Sequence, residues 1–272
     1  MTEIFIVLGV VILSIALRSF RNRFLRKVGA LGVLAATFLF FYFLTGSIAA
    51  GVGGLLLWFL LPWVELLTRI RRLRLPLEKA LERQSPPGAA RFPDLTELTD
   101  EVEAEGFEYA ADTGWEWDGT NQFYRLFYHP EMRESAAICL TEQEGIAWVY
   151  LSVTSRHGRG DTFRTSNVPF SSPMKMAPEV RFHQTPFADS FYDLVLEHRI
   201  WLGAFGYEES DMLDEDPETL AAQIEAETGR QIRHNIAVGL IEPAESAETV
   251  RYSWRGLFYL YFQLVKDMVK MS

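Results

Sequence analysis

The feature that most constrains this chain is a pair of long apolar tracts near its amino terminus. The first, Ile4 to Leu17, is uncharged, and the second, Val28 to Leu67, carries a single charge. As one straight α-helix, the second tract would be about 60 Å long, roughly twice the thickness of the hydrocarbon core of a bilayer. We therefore predict a transmembrane hairpin with spans near residues 28–45 and 48–67 and a turn at the Gly-Ser pair between them.

The first tract is short for a span, which leaves two interpretations open. Its 14 apolar residues are followed by a basic cluster, whereas a cleaved secretory signal has its basic residues in front. The tract is therefore predicted to be either a transmembrane anchor or an interfacial helix. In both cases residues 1–67 form a membrane anchor, with two or three transmembrane helices.

Basic residues are concentrated beside these tracts. Residues 1–93 contain 12 Lys or Arg and 4 Asp or Glu, whereas residues 94–272 contain 14 and 32. By the positive-inside bias, both basic loops are predicted to face the anionic lipids of the inner leaflet, which makes this a multi-pass protein of the inner (plasma) membrane with a cytoplasmic soluble domain. The basic residues assigned to this topology signal, on the lipid-facing side, are Arg18, Arg21, Arg23, Arg26, Lys27, Arg69, Arg71, Arg72 and Arg74.

The acidic remainder has the pattern of an α+β domain. Between about residues 107 and 167, apolar and polar residues alternate between turn signals, which predicts four or five strands of an antiparallel meander sheet. Helical periodicity returns after Pro186. The predicted order is thus N-terminal transmembrane helices, then a soluble domain with this sheet and C-terminal helices. Its divisions are the anchor, a basic juxtamembrane segment and Pro/Gly linker at 68–93, an α+β domain at 94–206, and an acidic loop with a helix-strand-helix module at 207–272.

Composition and spacing argue against several kinds of site. The single cysteine, Cys139, permits neither an intramolecular disulfide nor a CxxC-type zinc site, and it lies in an apolar strand where a buried thiol is expected. Ser172 and Lys175 have the spacing of a serine acyl-transfer pair, but the prolines around them predict a polar loop. His198 is expected to be packed in the core. We therefore predict no cofactor, and assign no catalytic or metal-binding residue.

The acidic charge of the domain would repel polyphosphate, so nucleic acid is not expected as a partner. An accessory or scaffold role is favoured over an enzymatic one, with a membrane or cytoplasmic protein as the partner. The alternative is a membrane-anchored hydrolase or small-ligand sensor with its site on the sheet. The residues proposed for a ligand or partner surface are Trp115, Trp117, Arg125, His129 and Arg156.

Two further questions concern the helices. Ala49 and Gly53, like Ala50 and Gly54, are small residues four apart, a spacing that allows close approach of helices and hence a homo-oligomer. The alternative is that the glycines only serve the turn. The last helix carries polar residues on one side and apolar residues on the other. It is predicted either to pack against the sheet or to lie at the membrane interface.

Overall fold

A computed structural model describes residues 2–20, 22–143, 145–246 and 248–271 of the chain. It combines helices and sheets and divides into two compact units: Met1–Leu73 with Trp254–Ser272, and Arg74–Ser253. The helices are α1 (Thr2–Arg18), α2 (Arg23–Thr45), α3 (Ile48–Thr68), α4 (Leu95–Ala104), α5 (Phe191–Ala204), α6 (Leu220–Ala237) and α7 (Trp254–Met271). The strands are β1 (Leu75–Pro76), β2 (Glu82–Arg83), β3 (Glu108–Trp117), β4 (Thr120–His129), β5 (Glu134–Gln143), β6 (Ile146–Arg156), β7 (Thr162–Ser166), β8 (Val180–Gln184), β9 (Ile241–Pro243) and β10 (Thr249–Tyr252).

In the first unit, two helices of the described chain are long and apolar enough to cross a membrane. They cover Phe24–Thr45 and Ile48–Arg72, close to the predicted spans. Their most apolar stretches are only 11% and 17% buried, whereas the core helix of a soluble protein is mostly buried. The first tract forms α1, a helix of 17 residues that contacts α2.

The hairpin of α2 and α3 closes at Gly46, whose φ of 70° is the left-handed conformation that ends many helices. Between the two helices, the Trp58 indole N–H donates a hydrogen bond to the Thr37 hydroxyl at 3.1 Å. A Cβ atom at Gly54 would clash with an aromatic ring of α2, so this small residue lets the helices approach closely. Gly53, by contrast, has open space around it.

The last helix, α7, belongs to this first unit and contacts α3. Trp63 of α3 lies between two α7 rings, with centroid distances of 4.9 Å to Phe258 and 5.1 Å to Tyr261. The sequence-based division placed this helix with the soluble part of the chain. The structure groups α7 with α3 because Trp63 packs on Phe258 and Tyr261, which are far from it in sequence.

The second unit is built on a seven-stranded sheet in the order β2-β3-β4-β5-β6-β7-β8. The predicted meander corresponds to β3–β7, in which each strand is antiparallel to the next. The pair β7–β8 is parallel, and the sheet is therefore mixed where the sequence predicted an antiparallel one. The connection between these strands, residues 167–179, is long enough for the crossover that a parallel pair requires. A separate three-stranded sheet has the order β1-β10-β9.

Helices cover both faces of the large sheet. Side chains of successive strand residues point to opposite faces, so each face packs its own set of residues against a helix. On one face, called here the α5 face, Phe127 and Ile138 pack with Leu194 of α5 in a core to which α4 also contributes. On the other, the α6 face, Tyr124 and Cys139 form a cluster with α6. The two faces therefore bury different chemistry, which positions the candidate sites.

Candidate interaction surface and charged network

Helix α5 fits tightly onto its face of the sheet. The Ser190 hydroxyl caps its amino terminus by accepting a hydrogen bond from the Asp193 amide at 3.2 Å. Phe191, Leu194 and Val195 point inward and are almost completely buried. This inner side follows the predicted apolar periodicity and accounts for the position of the helix on the sheet.

The inner side of α5 also carries His198, which is fully buried as predicted. Its ring nitrogens lie 3.0 Å from the Ser155 hydroxyl and 2.8 Å from the Thr165 hydroxyl. Burial, assisted by the nearby charge of Arg199, lowers the pKa of His198 to about 3. The imidazole is therefore neutral at physiological pH and joins the helix to strands β6 and β7.

The outer side of α5 is also apolar, which the sequence analysis missed. Tyr192, Leu196 and Ile200 follow one another at intervals of four residues and are 55%, 43% and 58% exposed. A helix that covers a sheet normally turns polar residues to water. A contiguous exposed apolar surface is instead typical of a binding site. These three residues are called the α5 stripe below. Their spacing was the signal in the sequence that could have found them.

Acidic residues border the α5 stripe. On α5 itself, Glu197 is exposed beside Leu196. The neighbouring helix α4 contacts α5, and its Glu101 carboxylate accepts a hydrogen bond from the Phe191 amide at 3.2 Å. The exposed Glu97 lies about 40° around α4 from Glu101 and so on the same side, whereas Glu103 lies about 160° from Glu101, beside Arg125. Beyond the end of α5, residues 207–218 contain seven Asp or Glu, of which Glu215 is buried against Arg156. The stripe is thus an apolar surface in an acidic setting.

The α6 face holds a network of buried charges. Glu227 of α6 accepts hydrogen bonds from Arg156 at 2.9 Å and from Arg164 at 2.5 Å. Arg156 also binds Glu215 of the acidic loop at 2.7 Å. Burial alone raises the pKa of Glu227, but the two guanidinium groups outweigh burial and hold its pKa below the ordinary value. For Glu215, burial prevails over Arg156 and the pKa is raised.

This network borders a cleft of about 550 Å³ between strands β6 and β7 and helix α6. Arg230 lines the same cleft and pairs with Glu179 at 3.1 Å. Arg156 and Arg230 of the cleft lie beside carboxylates, so their charges are largely compensated, whereas Arg159 of the same cleft is exposed. In the part of the chain that the structure describes, no group of three or more His, Cys, Asp or Glu residues is placed to hold a metal ion.

The residues predicted to form a site on the sheet are not brought together. Arg125 lies on the α5 face, where it pairs with Asp112 at 2.8 Å, whereas Arg156 lies on the α6 face. His129, at the end of β4, packs its ring against Phe107 with a centroid distance of 5.1 Å. Because the two arginines lie on opposite faces, these side chains cannot line one pocket.

The two tryptophans of β3 are half-buried, although the sequence suggested exposed rings. The indole N–H of Trp117 donates a hydrogen bond to the Arg74 carbonyl oxygen at 2.8 Å. The Lys79 ammonium group lies 4.2 Å from the centroid of Trp115 and also contacts Gln122. Burial lowers the pKa of Lys79 to about 8. Lys79 was read from the sequence as part of the basic juxtamembrane segment, and its half-buried position depends on long-range packing.

Cys139 and Ser172 lie in the settings expected from the sequence. Cys139 is buried, and burial raises the pKa of its thiol to about 12. The Ser172 hydroxyl donates a hydrogen bond to the Met174 carbonyl oxygen at 2.7 Å in the loop between β7 and β8. The amide of Lys175, in the same loop, donates to the Asn235 side chain at 3.0 Å. Each residue therefore has a structural role in the sheet unit.

Most of the basic residues assigned to lipid lie at one end of the hairpin. The α2–α3 contact pairs Thr37 with Trp58, and in antiparallel helices this register brings Arg26 level with Arg69. Arg69 pairs with Glu65 at 3.0 Å. Arg18 and Lys27 flank the α1–α2 junction, and Arg71 and Arg72 follow α3. Arg21 lies outside the described residues, as does the side chain of Arg23.

Arg74 differs from the other basic residues of this set. It belongs to the second unit, where its guanidinium group pairs with Glu245 at 2.9 Å. Its backbone carbonyl oxygen accepts the hydrogen bond from Trp117. Arg74 therefore contributes to the start of the sheet unit, next to strand β1.

Comparisons of the chain with protein-family models, with curated proteins and with solved structures found no match. Two features of the geometry bear on function. The first unit has two helices of membrane-spanning length, with exposed apolar surfaces. The second has the α5 stripe, an apolar surface among acids. Each is a surface suited to a different kind of partner.

Proposed function

We propose that this protein is a multi-pass protein of the inner (plasma) membrane whose cytoplasmic domain binds a partner protein through the α5 stripe. In this role it is an accessory or scaffold protein that holds its partner at the bilayer. The observation that carries the proposal is the α5 stripe itself, three large apolar side chains on the outer side of a helix whose inner side is already buried.

Two observations support the membrane part of the proposal. The helices Phe24–Thr45 and Ile48–Arg72 have the length of a span, and little of either is buried. Basic residues gather at one end of the hairpin, the pattern of cytoplasmic loops in membrane proteins. Ala49 is exposed and Gly53 has open space around it, which suits a contact between copies of the hairpin.

The surroundings of the α5 stripe define the chemistry of the partner. An apolar surface bordered by carboxylates is complementary to an apolar surface bordered by lysine and arginine. Tyr192, Leu196 and Ile200 provide the apolar contact area, and the exposed Glu197 of α5 and Glu97 of α4 provide the acidic border. We therefore infer a partner with a basic, amphipathic helix or an equivalent patch.

The test is site-specific photo-cross-linking in intact cells. A photoreactive amino acid replaces Tyr192 in the tagged full-length protein, which is then purified in mild detergent, and cross-linked products are identified by mass spectrometry. A single stoichiometric partner is expected, with its cross-link on a basic, apolar segment. The variant Ile200→Glu should weaken binding by about 2 kcal/mol or more, roughly 30-fold, because it places a charge within the apolar stripe.

The matched control is Ala222→Glu, which places the same charge on the exposed side of α6. It should leave the cross-link unchanged. Equal loss of the partner in Ala222→Glu, or an undiminished cross-link in Ile200→Glu, would show that the α5 stripe is not the docking surface. Recovery of the protein in the soluble fraction after cell lysis would refute the membrane part separately.

A further inference from the structure

The carboxyl-terminal helix α7 has one side packed against the membrane-length helix α3. At the start of α7, the guanidinium carbon of Arg71 lies 4.3 Å from the ring centroid of Trp254. About one and two turns later, Phe258 and Tyr261 pack against Trp63. These contacts tie α7 to the last turns of α3 and to the basic residues that follow it.

The contacts also give the direction of α7. Progress along α7 from Trp254 to Tyr261 corresponds to progress backwards along the chain from Arg71, just after α3, to Trp63 within α3. The two segments are therefore antiparallel, and the first turns of α7 lead from the basic end of α3 towards its apolar middle. Trp63 lies five residues before the end of α3 at Thr68, about 7 Å along the helix axis.

A stripe of exposed aromatic side chains continues along α7. Trp254, Phe258 and Phe262 recur at intervals of four residues, and all three are exposed. The adjoining surface of α3 is exposed and apolar as well, at Phe59 and Val64. The stripe of α7 is thus continuous with the surface of a helix that is long and apolar enough to cross a membrane.

Cations border one edge of the stripe, where the exposed Arg255 and Lys266 lie about 100° and 120° around the helix from Trp254. The side opposite the stripe is buried at Leu257 and Leu260. Exposed aromatic rings bordered by cations and a length of 18 residues are features of a helix that lies in a membrane interface. Such helices bury their apolar side about 5–10 Å below the headgroups, and the depth of Trp63 along α3 falls within this range.

We propose that α7 is a second membrane-binding element, which lies in the boundary between headgroups and acyl chains with Trp254, Phe258 and Phe262 towards the lipid. The inference rests on the proposed insertion of α2 and α3, and it assigns a lipid surface as the occupant of the exposed stripe. Arg71, stacked on Trp254, lies at the headgroup level, where a cation and an indole ring are both favoured.

The test is a depth measurement with single spin labels in reconstituted vesicles. The full chain with Cys139→Ala is placed in vesicles of phosphatidylcholine and phosphatidylglycerol, and a nitroxide is attached at Phe262→Cys or, as a reference in water, at Ala222→Cys on the exposed side of α6. A label at Leu31→Cys, on the exposed apolar surface of α2, reports the position of the anchor. Collision rates with oxygen, which enters lipid, and with a water-soluble nickel chelate give the environment of each label.

At position 262, collisions with oxygen are expected to exceed collisions with the nickel chelate, as at position 31, whereas the ratio should reverse at position 222. Nickel-chelate access at 262 equal to that at 222, with position 31 in lipid, would overturn the interfacial helix and leave the anchor intact. Nickel-chelate access at position 31 as well would refute the anchoring itself. An oxygen-to-chelate ratio at position 262 equal to that at position 31 would also overturn the proposal, because α7 would then be inserted. All labelled positions are exposed, so the label need not disturb the packing.

Discussion

The two helices that cover the large sheet, α5 and α6, differ on both their inner and outer sides. The inner side of α5 is apolar apart from one neutral histidine, whereas α6 directs Glu227 to two arginines of the sheet. Outward, α5 exposes the large apolar residues of the α5 stripe. The exposed residues of α6 are Ala222, Ala226, Arg233 and Ala237.

This contrast distinguishes residues that stabilise the folded unit from residues that are available to bind a partner. Helix α6 needs no large apolar residues on its outer side, because its attachment is provided by the apolar contacts of Leu220 and Ile224 and by buried ion pairs. Helix α5 would also be stably attached with a polar outer side, since its inner residues already fill the core. The exposed Leu196 and Ile200 therefore contribute little to folding, and a partner is the physical reason that we assign to them.

The largest expected effect concerns the inner side of α6. Glu227→Ala would leave Arg164 buried without its carboxylate and deprive Arg156 of one of two partners. Removing one member of a buried ion pair costs about 3–5 kcal/mol, because the remaining charge stays desolvated. Urea unfolding of the full chain in mild detergent, followed by tryptophan fluorescence, measures this loss.

The control for this substitution is Glu218→Ala, an exposed acid just before α6, for which a change within about 0.5 kcal/mol is expected. Similar losses for the two variants would contradict the role given to the buried network. In that case, the inner sides of α5 and α6 would differ less than the geometry indicates.

A second prediction compares two leucines on opposite sides of α5. Leu194→Ala should reduce the free energy of unfolding by about 2–5 kcal/mol, since Leu194 is completely buried and its loss leaves a cavity. Leu196→Ala should change it by about 0.5 kcal/mol or less, because Leu196 is exposed. The same unfolding assay checks both. A large loss for Leu196→Ala would mean that the outer side serves the fold of this unit.

Features of α5 and α6 that follow a local sequence pattern could be predicted, whereas contacts between residues far apart along the chain could not. The inner side of α5 follows the helical period, and strands β3–β7 follow the period of two, so both were predictable. The link between Arg156 and Glu227 joins residues 71 positions apart, and no local pattern reports it. The packing of Trp63 on Phe258 and Tyr261, which assigns α7 to the first unit, is likewise a long-range contact.

A third prediction concerns the single histidine on the inner side of α5. The pKa of His198 is about 3 in the folded protein, and that of an unfolded histidine is about 6.5. Between these values the unfolded chain binds more protons, so His198 contributes stability that is fully present above pH 6.5 and is lost as the pH falls towards 3. From pH 6 to pH 5 the loss should be about 1 kcal/mol.

Unfolding measured at each pH for the wild type and for His198→Gln isolates this contribution. The glutamine side chain can still hydrogen-bond to Ser155 and Thr165 but cannot titrate. The variant should therefore have a flatter pH dependence between pH 6 and 5, and its difference from the wild type at pH 8 reports packing alone. Parallel pH profiles for the two proteins would contradict a neutral, buried imidazole.

The smallest expected effect concerns the acidic border of the α5 stripe. Glu97 of α4 and Glu197 of α5 are exposed beside the α5 stripe, and charges at the rim of an interface act mainly on association. The double variant Glu97→Gln, Glu197→Gln should slow the association of the cross-linked partner a few-fold, about 0.5 kcal/mol, and leave dissociation unchanged. Surface-immobilised full-length protein in detergent gives both rates. The difference between variant and wild type should shrink as salt is raised from 0.05 to about 0.5 M, because screening removes the long-range attraction.

An equal effect on dissociation would place these carboxylates inside the interface, and an effect independent of salt would show that the partner is not basic. The acidic border thus favours association with basic apolar surfaces, whereas contacts with the α5 stripe slow the dissociation of the bound partner.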